Sequence, residues 1–416
     1  MKRVVGLNGA VLLGLGSIVG TGVFVSLGLA AGITGASMVL ALFVAGFLAT
    51  CNGLSSAQLA AAHPVSGGTY EYGYQYLNPW LGFFAGWLFV CAKSASAATA
   101  AIGFGGYFLE YFGLSFAAWQ TGLVAVVALT LVTATGLKRS NFANTVIVSI
   151  TLFTLIFFAA VSAPHFQVQN LEPFFKQEQA AMHFLEACAL MFVAYTGYGR
   201  IATLGEEIKD PRQNIPKAII LTLAISFILY IATGLLATGV KGADFFYQAT
   251  INQAAPLETL TLETTGSWAA AIVALGAITA MLGVLLNLLL GISRVVYAMG
   301  KRKDVPGFLG SNTPSGNPLA AVIFVGIVIF FLVFLKDVKA TWSFSAFTVL
   351  LYYAITNLAT LKLPPEQRLY PRLFSWLGLA GCLGLSAFVN FDALALGVGL
   401  LFIGLLWRLG YRALSY

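Results

Sequence analysis

Apolar residues in this chain come in long unbroken runs, and polar residues collect in the short stretches between them. A helix that crosses a bilayer needs about 20 predominantly apolar residues. The runs do not alternate between apolar and polar positions, which excludes the strands of an outer-membrane barrel. The pattern predicts an all-α polytopic membrane protein with about twelve transmembrane helices. The predicted spans are 5–31, 36–61, 79–108, 117–137, 142–163, 183–204, 217–240, 268–298, 318–335, 340–361, 372–389 and 392–410.

The composition agrees with a membrane location. Hydrophobic residues make up 59% and charged residues 9% of the 416 residues, whereas a soluble domain carries roughly 45–50% apolar and about 25% charged residues. This composition excludes a soluble enzyme, a disordered chain and a nucleic-acid-binding protein. Met1-Lys2-Arg3 precedes a long apolar run that further runs follow. We therefore interpret that run as a first span and not as a cleaved signal peptide.

The net charge of +7 is explained by where the basic residues lie. Cytoplasmic loops of membrane proteins are enriched in Lys and Arg. With both termini inside, 15 basic residues fall on the cytoplasmic side and 4 on the outer side. We predict an integral protein of the bacterial cytoplasmic (inner) membrane with both termini in the cytoplasm. The outer four are Lys176, Lys241, Lys336 and Lys339, and three more, Lys93, Arg200 and Arg294, fall within predicted spans.

Two spans contain glycine-rich interruptions, at Gly14–Phe24 in the first and Phe192–Arg200 in the sixth. Glycine destabilises a helix by about 1 kcal/mol relative to alanine. Such clusters mark where a helix can unwind, if the freed backbone faces protein or a water-filled cavity. The alternative is close helix packing through small residues. Interrupted helices at matching positions of two inverted halves point to the binding site of a secondary transporter.

The positions of the two interruptions predict how the chain is organised. We predict one transmembrane transporter domain, built on a five-plus-five inverted-repeat core with broken helices 1 and 6. The first repeat is 1–163 and the second is 183–361. Residues 372–410 form two additional helices.

Several stretches together carry a resemblance to a known family. Gly16-Ser-Ile-Val-Gly-Thr-Gly-Val-Phe24 lies in span one, and Pro64-Val-Ser-Gly-Gly-Thr-Tyr-Glu-Tyr72 follows span two. Tyr195-Thr-Gly-Tyr198 lies in span six and precedes Glu206-Glu-Ile-Lys-Asp-Pro211. In combination they resemble the amino acid–polyamine–organocation (APC) superfamily of amino acid permeases, over residues 4 to about 310.

The resemblance implies an amino acid substrate bound at mid-membrane beside the broken helices. The substrate carboxylate would be held by backbone N–H groups at Gly20, Thr21 and Gly22, where a second half-helix begins and its N-terminus favours an anion. The ammonium would meet backbone carbonyls near Ser17 and Ile18 and in the sixth span. The substrate-binding candidates are Ser17, Ile18, Gly20, Thr21, Gly22, Lys93, Val193, Tyr195, Thr196 and Gly197.

Lys93 stands well inside span three, where a charge is costly unless it faces a cavity or a partner. We interpret it as a cavity residue that either carries a coupled proton or contacts the substrate. Some relatives have a span-five lysine where a sodium ion would bind, but Thr151 occupies the matching place here. Span eight offers only Asn287 as a polar residue between Thr279 and Ser293, which disfavours sodium coupling.

Three residues are candidates for gating. Tyr195 could close over the substrate or pack between helices. Glu206 could form a salt-bridge gate with a neighbouring basic residue or a solvated cap, and the role of Arg200 stays open. Arg294 is expected to pair with a carboxylate or a lipid headgroup on the cytoplasmic side.

The predicted function is a permease, exporter or exchanger of neutral amino acids that is driven by protons or by exchange. The alternatives are a channel and a transporter-like sensor of amino acids. An integral-membrane enzyme is disfavoured because clustered acids, histidines or a nucleophile pair are missing. We expect no cofactor and no metal, and the bilayer, the amino acid and protons as partners. The oligomeric state stays open.

Overall fold

The computed structural model of the chain describes residues 3, 5–65, 67–135, 141–176, 180–203, 205, 207–313 and 317–414, without the side chains of 141–143 and 412–414. Regular structure within these ranges is helical, apart from one isolated bridge between Val5 and Ile208. The all-α prediction is confirmed. The α-helices are α1 (Leu7–Ile18), α2 (Leu27–Thr34), α3 (Met38–Ala62), α4 (Thr69–Tyr76), α5 (Pro79–Phe112), α6 (Ala118–Ala134), α7 (Asn141–Ser162), α8 (Ala180–Tyr195), α9 (Gly199–Thr203), α10 (Pro211–Lys241), α11 (Ala243–Gln253), α12 (Pro256–Thr264), α13 (Ser267–Lys301), α14 (Leu319–Val333), α15 (Val338–Leu361), α16 (Arg372–Ser386) and α17 (Phe391–Leu414).

Many of these helices have the length and apolar composition that a bilayer requires. In the described part of the chain, eight helical stretches are long and apolar enough to cross a membrane, and α6 and α14 are shorter apolar helices. The first stretch, Leu7–Ala62, has 56 residues and turns at the short helix Gly35–Ser37. The eight stretches are Leu7–Ala62, Pro79–Phe112, Asn144–His165, Ala180–Thr203, Pro211–Lys241, Ser267–Lys301, Val338–Leu361 and Phe391–Tyr411.

Helix α5 lies inside the bundle and packs against α13, α15, α6 and α4. Small residues allow α5 to pack closely against its neighbours, and hydroxyl groups form hydrogen bonds between the helices. Ser96 and Ser345 are 2.7 Å apart through their Oγ atoms, and the Oγ1 atoms of Thr99 and Thr341 are 2.8 Å apart. Both pairs join α5 to α15.

The outside of the bundle carries large apolar side chains. Exposed examples lie on α6, α7, α14 and α17, and α17 is exposed along most of its apolar window. An apolar surface this extensive requires a lipid environment. The examples include Val124, Val127, Phe153, Ile156, Ile327, Phe331, Leu396 and Phe402.

Contacts between distant segments define the two ends of the bundle. At one end, the Val5 N–H donates to the Glu207 carbonyl at 3.0 Å, and Arg294 pairs with the Glu207 carboxylate at 3.2 Å. Asp304 pairs with Arg408 at the same end. We call this the terminal end. The opposite end carries α11, α12 and the turns after α5 and α14.

Candidate functional site

The first apolar run is broken near its middle. Helix α1 ends at Ile18, and Val19 has an extended backbone with φ −79° and ψ 102°. A π-helical segment, Gly22–Ser26, follows before α2 begins. Single π-helical turns are frequent at functional sites.

The glycines of this break allow neighbouring helices to approach. A Cβ added at Gly22 would lie 2.7 Å from the Ala194 Cβ, and one at Gly20 would overlap the Val284 side chain. Thr21 is buried, and its hydroxyl lies 3.6 Å from the Met281 sulfur. In this conformation the three residues predicted to receive the carboxylate therefore pack against α8 and α13.

The sixth-span break lies against the first. Helix α8 ends at Tyr195, a 3-10 turn covers Thr196–Tyr198, and α9 starts at Gly199. A Cβ added at Gly197 would overlap the Ser17 carbonyl group. Only glycine allows this approach, which brings the unwound backbone of both breaks together.

Buried tyrosines satisfy the carbonyls that the breaks release. Tyr230 Oη on α10 lies 2.7 Å from the Ile18 oxygen and 3.1 Å from the Ala194 oxygen, so its proton bridges both breaks. Tyr353 Oη on α15 donates to the Thr196 oxygen at 3.1 Å. An unsatisfied buried carbonyl is costly, so these hydroxyls stabilise the unwound backbone.

Asn287 satisfies a backbone carbonyl of α1 in the same way. Its Nδ2 on α13 donates to the Gly16 oxygen at 2.8 Å. An amide N–H therefore points at this carbonyl, where a bound cation would need an oxygen ligand. Thr151, on α7, hydrogen-bonds within its own helix to the Ile147 oxygen.

Lys93 reaches the sixth-span break from α5. Its side chain is buried, with 7% of the residue exposed, and its Nζ donates to Thr196 Oγ1 at 2.8 Å. Thr196 Oγ1 in turn lies 2.8 Å from the Val193 oxygen. No carboxylate of the described residues lies within ion-pair distance of Lys93.

A small cavity lies on the terminal side of the meeting point. Its volume is about 40 Å³, which is room for a few water molecules at most. An amino acid therefore does not fit in this cavity without movement. The lining includes Ser17, Lys93, Thr196, Gly197, Arg200 and Asn287.

The gating candidates lie in different surroundings. Tyr195 is buried, its Oη lies 3.3 Å from the Leu42 oxygen, and its ring contacts Tyr230 with centroids 5.0 Å apart. In this conformation it packs between α3 and α10. Arg200 lines the small cavity, whereas Glu206 lies outside the described residues. Arg294 pairs with a carboxylate, as expected from the sequence, and that carboxylate belongs to Glu207.

Sequence reasoning missed Tyr230 and Tyr353. A signal was available, because both are tyrosines inside apolar runs, and a buried tyrosine hydroxyl requires a partner. The partners themselves stand 212 and 157 positions away along the chain, so the sequence alone does not identify them. Among the described residues, no group of three or more His, Cys, Asp or Glu side chains could hold a metal ion.

Comparison with known proteins identifies relatives over nearly the whole chain. A family model described as amino acid permease matches residues 9–409. An uncharacterized transporter of Mycobacterium tuberculosis is 36% identical over 407 residues, covering 97% of this chain and 90% of the relative. The branched-chain amino acid permease BcaP of Bacillus subtilis is 29% identical over 431 residues, covering 98% and 91%. A methylthioribose transporter of Bacillus subtilis is 31% identical over 337 residues, covering 76% and 71%.

These matches confirm the resemblance seen in the sequence motifs and the expectation of a transporter. Together with the apolar helices they identify an integral membrane protein. The chain belongs to the amino acid permease family of the APC superfamily, whose members are transporters and not enzymes.

Proposed function

We propose that the chain is a secondary active transporter that moves neutral amino acids across a bacterial cytoplasmic membrane by alternating access. The observation that carries the proposal is the contact between the two helix breaks, where Gly197 lies against the Ser17 carbonyl. Transporters built from inverted repeats bind their substrates at such discontinuous helices. Membership of the amino acid permease family supports the substrate class.

The proposed topology has twelve crossings and an inverted-repeat core made of 1–163 and 183–361, with 372–410 as two additional helices. The Lys and Arg count of the loops supports cytoplasmic termini. The terminal end is then cytoplasmic and the opposite end faces outward.

We propose that the substrate binds where the breaks meet. Its carboxylate approaches the N–H groups of Gly20, Thr21 and Gly22, and its ammonium approaches the carbonyls of Ile18 and Thr196. Each carbonyl oxygen has two lone pairs, so an ammonium can bind beside the tyrosine hydroxyls. The 40 Å³ cavity must expand for this, which agrees with a closed state in an alternating-access cycle.

Lys93 supports a neutral substrate. Protonated Lys93 at Thr196 already places one positive charge beside the substrate ammonium, so a second charge on the substrate side chain would add short-range repulsion. The similarity to BcaP of Bacillus subtilis, a branched-chain amino acid permease, points to the same class.

Lys93 also supports proton coupling or exchange. It is a buried amine that contacts the sixth-span break directly. Such a group can gain or lose a proton when its surroundings change. Asn287 directs an amide donor at the Gly16 carbonyl, which argues against a sodium ion at that place.

Reconstitution in liposomes tests the proposed transport activity and the proposed role of Lys93 in coupling. Lys93→Ala is compared with wild type and with Lys362→Ala, which removes an exposed lysine. We expect Lys93→Ala to lose accumulation driven by a pH gradient while it still exchanges substrate in counterflow. A fall in affinity at every pH would instead assign Lys93 to substrate contact. Wild-type behaviour in both assays would exclude either role.

Thermal stabilisation by each amino acid identifies the substrate. A ligand at 100 times its Kd stabilises the folded state by about 2.7 kcal/mol. We expect stabilisation by neutral amino acids and none by lysine or arginine. Stabilisation by the cationic ones alone would contradict the proposed role of Lys93 in selectivity.

A further inference from the structure

Glu258, on α12 at the opposite end, is a buried carboxyl group that the proposed transport site does not use. The residue is 4% exposed. Its Oε2 atom has no hydrogen-bond partner among the residues that the structure describes. Burial of an ionised carboxylate without a partner is strongly unfavourable, so Glu258 is a group whose protonation state depends on the position of α12.

The charge that acts on Glu258 has the same sign. Glu110, at the end of α5, acts on it electrostatically, and Glu258 in turn acts on the Tyr107 hydroxyl of the same helix. Burial, and secondly the charge of Glu110, raises the pKa of Glu258 to about 8. At neutral pH the packed form of α12 therefore favours the protonated acid.

No cation compensates Glu258 from the other elements that pack against α12, which are α13, α11, α7, α10 and the π-helical segment Gly22–Ser26. The described residues of α7 and of the π-helical segment include no ionisable side chain. Lys241 on α10 pairs with Glu263 at the far end of α12, and Asp244 on α11 pairs with Lys176, both at 3.2 Å. The remaining titratable groups on these elements are Arg212, Lys217 and Tyr230 on α10, Tyr247 on α11, and Arg294, Tyr297 and Lys301 on α13.

Hydrogen bonds connect α12 to the broken first span. The Leu257 N–H, next to Glu258, donates to Tyr107 Oη at 3.3 Å, and Tyr107 Oη donates to the Phe24 oxygen at 2.7 Å. Phe24 belongs to the π-helical segment that follows the break. The Phe24 and Tyr107 rings meet edge to face with centroids 6.1 Å apart. Displacement of α12 therefore breaks the hydrogen bond to Tyr107 and disturbs the π-helical segment, whose first residue, Gly22, is part of the proposed carboxylate site.

A cavity beside this region is open to the surface. A partly open cavity of about 700 Å³ lies between the end of α5, the end of α11 and the start of α15. Glu110 lines it together with Gln253 and Lys339. A small outward movement of α12 would expose Glu258 to water in this cavity.

We propose that Glu258 is a proton-binding site that controls the outer closure of the transporter. The protonated side chain stabilises α12 against the π-helical segment, and ionisation favours a state in which α12 has moved and water surrounds the carboxylate. That this end faces outward rests on the proposed function. The coupling between protonation of Glu258 and the position of α12 does not. This proton site is separate from Lys93.

The link between proton binding by Glu258 and the position of α12 fixes the direction of the pH dependence. Hydrated glutamate has a pKa of about 4.3, and packed Glu258 has one of about 8. The closed state therefore binds more protons, so it is favoured at low pH and loses population as the pH rises between these values. Within that window each pH unit changes the ratio of the two states by up to about tenfold.

Spin-label distances test the proposal without substrate or gradient. Labels are attached at Ser115→Cys, in the turn after α5, and Leu262→Cys, an exposed position on α12, after Cys91→Ser removes the partly exposed native thiol. The full chain in nanodiscs is measured from pH 4.5 to 9. We expect a second, longer distance to grow as the pH rises. A distribution that is constant across this range overturns the proposal.

Three variants isolate Glu258. Glu258→Gln, which keeps the size and stays neutral, should hold the short distance at every pH. Glu263→Gln, a carboxyl on the same helix that pairs with Lys241, should behave like wild type. Glu110→Gln removes the like charge and should move the midpoint to lower pH. Wild-type titration of Glu258→Gln, or an unmoved midpoint in Glu110→Gln, contradicts the assignment, whatever the transport assays show.

Discussion

The two ends of the bundle hold buried carboxyl groups in opposite ways. At the terminal end, Asp304 accepts hydrogen bonds from Tyr70 at 2.8 Å, from Tyr74 at 2.6 Å and from Arg408 at 3.2 Å. At the opposite end, Glu258 has an oxygen without a partner among the described residues. Three donors therefore hold the Asp304 carboxylate in place, whereas nothing described holds the second oxygen of Glu258.

The pairing at the terminal end joins four parts of the chain. Arg408 on α17 is 2% exposed in its side chain, and its guanidinium lies 4.9 Å from the Trp80 ring and 4.7 Å from the Phe83 ring of α5. Asp304 follows α13, and the tyrosines belong to α4. The Asp304–Arg408 pair and its neighbours therefore connect these four parts at the terminal end.

Removal of Asp304 is expected to have the largest effect. Asp304→Ala leaves Arg408 buried without its counterion, and breaking a buried pair in this way costs about 3–5 kcal/mol of unfolding free energy. Thermal unfolding of the purified protein in detergent measures the loss.

A double variant provides the control. Arg408→Met removes the charge that Asp304→Ala strands, so the double variant should be more stable than Asp304→Ala alone. If the two effects simply add, the pair does not hold the terminal end together.

The second-largest effect is expected at the opposite end, for a change at Tyr107. Tyr107→Phe removes the donor to the Phe24 oxygen and the acceptor of the Leu257 N–H. The Phe24 oxygen loses its donor in either position of α12, whereas the Leu257 N–H loses its acceptor only in the packed position, at a cost of about 1–3 kcal/mol. The longer spin-label distance should therefore appear already at pH 5.

Tyr111→Phe, on the same helix one turn later, serves as the matched control because the hydroxyl of Tyr111 is not part of this connection. The same distances in Tyr107→Phe and Tyr111→Phe would show that Tyr107 does not connect α12 to the broken span.

The contrast between the ends also shows what the sequence could predict. Long apolar runs determine helices directly, so 340–361 and 372–389 were predicted within a few residues of α15 (Val338–Leu361) and α16 (Arg372–Ser386). Residues 241–267 lie between two predicted spans and form α11 and α12, which the pattern does not predict because short helices packed on a bundle lack a long apolar run.

The site was predictable only in part. Glycine clusters and an intramembrane lysine are local signals, and the structure brings Lys93 to Thr196 and Gly197 to Ser17. The roles of these residues in binding stay predictions. The carbonyl partners Tyr230, Tyr353 and Asn287 depend on which helices become neighbours, which one sequence does not reveal.

The smallest effect is expected for the exposed ion pair beside Asp304. Arg302 pairs with Glu71 on α4, and its guanidinium lies 4.4 Å from the Tyr74 ring. The Arg302 side chain is 42% exposed, and solvent-exposed pairs contribute about 0–1 kcal/mol. Arg302→Gln should therefore lower the unfolding free energy by less than about 1 kcal/mol, and the difference from wild type should shrink in high salt. Thermal unfolding at low and high salt measures both. A loss as large as that of Asp304→Ala would show that the exposed pair, and not the buried one, holds the terminal end together.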